Sequence, residues 1–276
     1  MVGNRQRAIG LESPAHGEPM GRAPAQSMRP QLPQLTMRGI LAVWAAAALP
    51  MAALAWIVTP RLADALTGDA AFVRALLISL TAGLAWQFVL VVALVARERR
   101  TVRWSAVRDA LWLRSPVSPH SGRRGGRLWW LLIPLIIAFG AQEALPVPGH
   151  PANRDLGMFL ESTAGVAFFR GAWGWFAVVL LLVIFNTVLG EELLFRGFLL
   201  PRMSGVFGRA DWLANGVLFA AYHLHTPWVI PVALLDALVL SYPTKRYRSA
   251  WLGIAVHSAQ SVVIALAVLG VVVGAA

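Results

Sequence analysis

The stretch WGWFAVVLLLVIFNTVLGEELLFRGFLL, residues 173–200, is apolar over a bilayer-spanning length, yet Glu191, Glu192 and Arg196 lie inside it. A transmembrane helix needs about 20 consecutive, mostly apolar residues. Ionisable residues within such a span are costly, and by default they mark function. This one segment therefore sets two expectations, a helix buried in a membrane and a polar site built into it.

Working outward, further apolar runs flank it. Those before it cover about residues 39–58, 71–96 and 128–145; those after it cover 212–224, 228–242 and 251–273. The fold class expected is an all-α, polytopic transmembrane protein of about seven spans, with its N-terminus inside. The runs at 212–224 and 228–242 are shorter than a full crossing, so a thinned bilayer or hydrated cavity is expected there. Composition agrees: 58% of the residues are apolar and only 13% charged, against about 25% charged in ordinary soluble domains. There is no Cys, which excludes a disulfide scaffold and Cys-ligated zinc or iron–sulfur centres.

The charge is lopsided, with 24 Lys and Arg against 13 Asp and Glu. Cytoplasmic loops of membrane proteins collect Lys and Arg. With seven spans and the N-terminus inside, twenty basic residues fall on inner segments and four, Arg61, Arg74, Arg154 and Arg170, outside. The basicity is thus a topology signal, and no nucleic acid partner is expected. Residues 1–36 read as a disordered cytoplasmic tail, rich in Pro, Gly, Gln and Arg. No apolar run of signal-peptide length follows Arg5 and Arg7. Residues 37–172 read as N-terminal transmembrane helices with a basic cytoplasmic loop at 97–127. Within that loop, Trp104, Val107, Leu111 and Trp112 beside Arg103, Arg108 and Arg114 predict an interfacial amphipathic helix over 102–113. Residues 173–276 read as the functional core.

Three spans carry the candidate site. With a rise of 1.5 Å per residue, Glu191 lies roughly 15 Å, His223 about 18 Å and His257 about 12 Å from the same membrane face. A carboxylate and two imidazoles at matched depth suit a buried polar site. Glu192 and Arg196 are four residues apart and predict an ion pair, which leaves Glu191, rotated about 100°, to face another helix. Phe219 and His223 share a face, as do His257 and Ser261. A free Glu beside a neutral His can deprotonate a water, and a second His with a hydroxyl or amide neighbour can stabilise an oxyanion. Alternatively, Glu191, His223 and His257 ligate a Zn²⁺ with water in the fourth position. Glu192–Arg196 alone would be an ordinary structural pair. Asp236 has no evident partner beyond Lys245 or a backbone group. His225 reads as interfacial, and His16, His120 and His150 as solvated.

Glu191-Glu192-Leu193-Leu194-Phe195-Arg196-Gly197, the Phe219-Ala220-Ala221-Tyr222-His223 step, and His257 after Ser249-Ala250-Trp251 together resemble the CPBP family of intramembrane proteases. These are also called the CAAX-protease or ABI family, with the signature E-E-x-x-x-R, F-x-x-x-H and H-x-x-x-N. The resemblance covers roughly residues 175–265. It implies an intramembrane endopeptidase, with peptide or membrane-protein substrates, acting near the cytoplasmic side of the bilayer. By that resemblance Glu191 and His223 activate water and His257 helps hold the oxyanion, while Glu192, Arg196 and Phe219 support them. The family's Asn slot holds Ser261 here, with Gln260 one residue earlier. The family carries both a metalloprotease and a metal-free glutamate reading, and both stay open. Two rival functions also stand: a non-proteolytic immunity, regulatory or chaperone-like protein on this fold, and a proton-coupled transporter, which the lack of an internal repeat disfavours. The Arg-heavy composition suits a bacterial plasma membrane.

Overall fold

A computed structural model describes Met1 and residues 32–275 except 69, 148 and 150. Leu32–Ala276 form one compact unit, and of the other unit, Met1–Gln31, only Met1 is described. The expected tail and His16 therefore fall almost wholly outside the described residues, as does His150. The described residues form helices with no strand; an isolated bridge, Val117 with Arg124, closes a turn in the basic loop.

Four helices are long and apolar enough to cross a bilayer: Met37–Ala65, Ala71–Arg99, Trp173–Arg202 and Ala250–Val272. Pro227–Ala233 and Ala237–Tyr247 make a fifth candidate if taken as one span, bent by 51°. The count is thus four to five rather than seven by length and composition. Gly126–Gln142 is a shorter apolar helix. Asp211–Tyr222 has 12 residues, about 18 Å of helix against a hydrocarbon core of about 30 Å. The bend falls between Ala233 and Ala237, where a short α-helix with Pro231 in its first turn gives way to the π-helical Ala237–Ser241.

Tight packing follows small residues. A Cβ on Gly216 would sit 2.3 Å from the Ala237 Cβ and 2.5 Å from its Cα, so Asp211–Tyr222 lies directly against Ala237–Ser241. The largest cluster of buried residues gathers Ile40, Met51, Leu84, Val91, Leu194, Phe195, Phe198, Phe219 and Tyr222. It joins the first two long helices to the Trp173–Arg202 helix.

The basic loop does more than lie on a surface. Its helix is Trp104–Ala110, and Ala110, Leu111 and Leu113 are buried while Trp104 is exposed. Leu111 packs on Gly197, whose missing side chain leaves only 3.3 Å between an ideal Cβ and the Leu111 carbonyl oxygen. Arg202, fully buried, donates to both Glu98 oxygens (2.6 and 2.8 Å) and to the carbonyls of Phe198 (2.7 Å) and Ala110 (3.1 Å). The Ala250 N–H donates to the Trp112 carbonyl (3.0 Å), satisfying one of the otherwise unpaired donors at a helix start. Ser249 Oγ donates to the Arg114 carbonyl (2.6 Å) in the same place.

Candidate functional site

The Trp173–Arg202 helix is not uniformly α-helical. Ile184–Gly190 and Leu193–Leu199 are π-helical, on either side of Glu191 and Glu192. Such wide turns are rare, and inside α-helices they occur frequently at functional sites. The consequence is local and chemical. Asn186 is five residues before Glu191, a spacing about 140° apart on an ordinary α-helix, yet its amide reaches both Glu191 oxygens (2.9 and 3.2 Å) with the NH₂ group donating. The Tyr222 hydroxyl also hydrogen-bonds Glu191, and it accepts from Gln87 Nε2 at 2.5 Å. Glu191 is therefore held by Asn186 of its own helix and by Tyr222 of another, while remaining on the wall of a cavity.

Glu192 turns the other way, as the sequence predicts. Its Oε1 is 3.1 Å from Arg196 Nη1 and 3.1 Å from His257 Nδ1, and both Glu192 and Arg196 side chains are fully buried. An ionised carboxylate can only accept, so His257 donates through Nδ1, which leaves its Nε2 free of that partner. The Arg196 guanidinium carbon lies 3.8 Å from the Phe219 ring centroid, a cation–π contact that is stronger when desolvated. The guanidinium nitrogens make no well-directed hydrogen bond, so its charge rests on Glu192 and this ring. Gly253 admits the assembly, since a Cβ there would come 2.4 Å from Glu192 Oε2.

Phe219 also stands edge-on to His223, with centroids 4.9 Å apart. His223 Nδ1 lies 3.0 Å from the Phe219 carbonyl oxygen. A carbonyl accepts, so Nδ1 carries the hydrogen, and in the neutral ring Nε2 is left as the basic atom. Phe139 packs edge-on against His257 with centroids 5.6 Å apart. A cavity of about 280 Å³ is lined by Glu191, His223 and His257 together with Asn186, Asp236 and Gln260.

Two residues are placed differently from expectation. His225, read as interfacial, lines the same cavity and stacks on His223 at 5.4 Å, because the chain leaves the α-helix at His223 and continues as a 3₁₀ turn through His225. Asp236 accepts from Gln142 Nε2 at 2.7 Å, while Lys245 pairs with Asp211 instead. Ser261 is buried and donates to Thr187 Oγ1 at 3.2 Å, and Gln260 rather than Ser261 lines the cavity. Asn186, Tyr222 and Gln87 were not singled out by sequence reasoning; Asn186 and Gln87 are polar residues within apolar runs, but nothing in the sequence points either one toward Glu191.

For a metal, the fit is poor. Among the described residues, no three His, Asp or Glu side chains are grouped to hold an ion. Glu191 is occupied by Asn186 and Tyr222, and His257 by Glu192.

No curated protein and no solved structure matched the chain. Residues 173–274 match the family model described as Type II CAAX prenyl endopeptidase Rce1-like. The match contains Glu191, Glu192, Arg196, Phe219, His223 and His257, and it agrees with the CPBP resemblance read from those residues. Over residues 173–274, which hold the ionisable side chains lining the cavity, the chain is thus similar to the Rce1-like type II CAAX prenyl endopeptidases.

Proposed function

We propose that the chain is an intramembrane endopeptidase in which Glu191 and His223 activate a water molecule for attack on a peptide carbonyl. The observation that carries this reading is a single cavity lined by Glu191, His223 and His257, with Asn186 on the Glu191 oxygens and Glu192 on the His257 ring. In the proposed step, the water oxygen bonds to the carbonyl carbon while Glu191 takes its proton. His223 Nε2, aimed by the Nδ1–H bond to Phe219, accepts a hydrogen bond from the same water. The oxyanion that forms is met by donors on the cavity wall, with Gln260 and His257 the candidates. The carbon–nitrogen bond then breaks, and the leaving amine takes the proton that Glu191 had received. General base catalysis of this kind contributes typically 10²–10⁴-fold.

No step is routed through a metal, because the residues present do not gather as ligands. We place the site toward the cytoplasmic side of a bacterial plasma membrane, with the N-terminus inside. The two shorter apolar helices, Gly126–Gln142 and Asp211–Tyr222, and the bent pair taken as one span would complete seven crossings. The distribution of basic residues supports that orientation. Because the chain has no Cys, single cysteines at Ser118 and Thr67 report sidedness cleanly: Ser118→Cys should label only from the cytoplasm and Thr67→Cys only from outside.

The deciding experiment is cleavage of a peptide library by the full chain in liposomes. Cleavage should fall by roughly 10²–10⁴-fold in Glu191→Gln and in His223→Ala and survive dialysis against a chelator. A folded wild-type protein that cleaves nothing in the library would transfer support to a non-proteolytic role for the same cavity.

A further inference from the structure

A second cavity, of about 630 Å³, opens between segment 117–119 of the basic loop and the helices Asp211–Tyr222 and Tyr242–Tyr247. Arg209, Lys245, Arg246, Arg248, Trp212 and Tyr242 line it, together with segment 117–119, and no carboxylate does. Asp211 neutralises Lys245, and Arg246 Nη2 donates to His120 Nε2 at 3.1 Å. Among the described residues, Arg209 and Arg248 have no acidic partner, and Arg209, Arg246 and Arg248 are exposed. The cavity therefore presents a surplus of at least three guanidinium charges to whatever enters.

Its aromatic wall narrows the choice of anion. Trp212 and Tyr242 meet edge to face with centroids 5.2 Å apart, the residue types enriched where membrane meets water. Leu238, four residues before Tyr242, and Leu213, next to Trp212, are exposed apolar side chains at 57% and 48%. A polyanion read from solution needs no such apolar border; a lipid needs both a cationic head site and a path for its acyl chains. Guanidinium groups suit phosphate because their planar fork donates two parallel hydrogen bonds.

We infer that this cavity is a binding site for the phosphodiester headgroup of an anionic phospholipid, with its acyl chains running over Leu213 and Leu238. The site shares no residue with the cavity around Glu191, so it stands whether or not the chain is a protease. Basic pockets between transmembrane helices on the cytoplasmic side are a recurring form of lipid recognition.

The test uses the delipidated full chain in neutral detergent, titrated with phosphatidylglycerol, phosphatidylcholine or inorganic phosphate. Binding is read by native mass spectrometry and by the thermal unfolding midpoint. Phosphatidylglycerol should bind and raise the midpoint, and phosphatidylcholine should not. Arg209→Gln and Arg246→Gln should each weaken retention by about fivefold, and Arg209→Lys should recover part of it. Before lipid is added, all variants should unfold like wild type. Equal binding of the two lipids, or unchanged binding in both Gln variants, would overturn the proposal. Inorganic phosphate binding as tightly as phosphatidylglycerol would overturn the lipid assignment. Arg209→Lys losing as much as Arg209→Gln would overturn the charge argument.

Discussion

The Ala71–Arg99 and Trp173–Arg202 helices are almost equal in length and equally apolar, yet a third of the apolar window is buried in the first and half in the second. The first is one unbroken α-helix with few polar groups inside, among them Ser79 and Gln87. The second is interrupted twice by π-turns and buries Thr187, Glu191, Glu192, Arg196 and Arg202. Apolarity places both in lipid but does not say which is surrounded by protein. Charge does: a buried ion must be met by partners from several elements, so the helix that carries ions becomes the one the others pack around.

The sharpest attack on this contrast is Glu192→Gln. It leaves Arg196 buried with only the Phe219 ring, and the expected loss is about 3–5 kcal/mol, read as a fall in thermal unfolding in detergent. Replacing both, as Glu192→Leu with Arg196→Met, should cost much less, because no uncompensated ion remains. A single substitution as mild as the double one would mean that the pair does not organise the bundle. Glu191→Gln in the same helix should do the opposite: stability held, and cleavage slowed by roughly 10²–10⁴-fold in a peptide assay.

Glycines extend the comparison to packing. Gly216→Ala drives its Cβ into Ala237 backbone and should destabilise by about 1–3 kcal/mol, measured by the same unfolding scan. Gln260→Ala removes one neutral donor from the cavity wall, worth about 0.5–1.5 kcal/mol. It should slow cleavage by up to about tenfold on that scale, while Ser261→Ala leaves the rate alone. The smallest effect belongs to the uniform helix. Gly83→Ala puts a Cβ 2.7 Å from Met51 Sδ, but a flexible thioether can move aside, so the cost should stay below about 1 kcal/mol.

These contrasts also mark how far the residues spoke for themselves. Glu192 with Arg196 and Phe219 with His223 were legible, because four-residue spacing brings side chains together on an α-helix. Asn186 was not, since its five-residue offset from Glu191 works only through a π-turn, and apolar neighbours give no warning of one. His225 was hidden by a change of helix type two residues before it, which a span-end reading cannot register. Gln142 with Asp236 is a contact across 94 positions of sequence that no periodicity encodes. The apolar runs were visible, but a break between Ala233 and Ala237 turned one of them into a bent pair.

The hydrogen bonds across position 173 reach further than the site. Trp44 and Trp56 donate to the carbonyls of Leu218 and Leu224, Gln87 to Tyr222, Arg202 to Glu98, and Ala250 to Trp112. The stretch that matches the family model is therefore not a unit of folding on its own. Expressed alone, it would begin with its aromatic core bare and its last helix uncapped. Any shuffling of this module between proteins must carry, or rebuild, the helices that come before it.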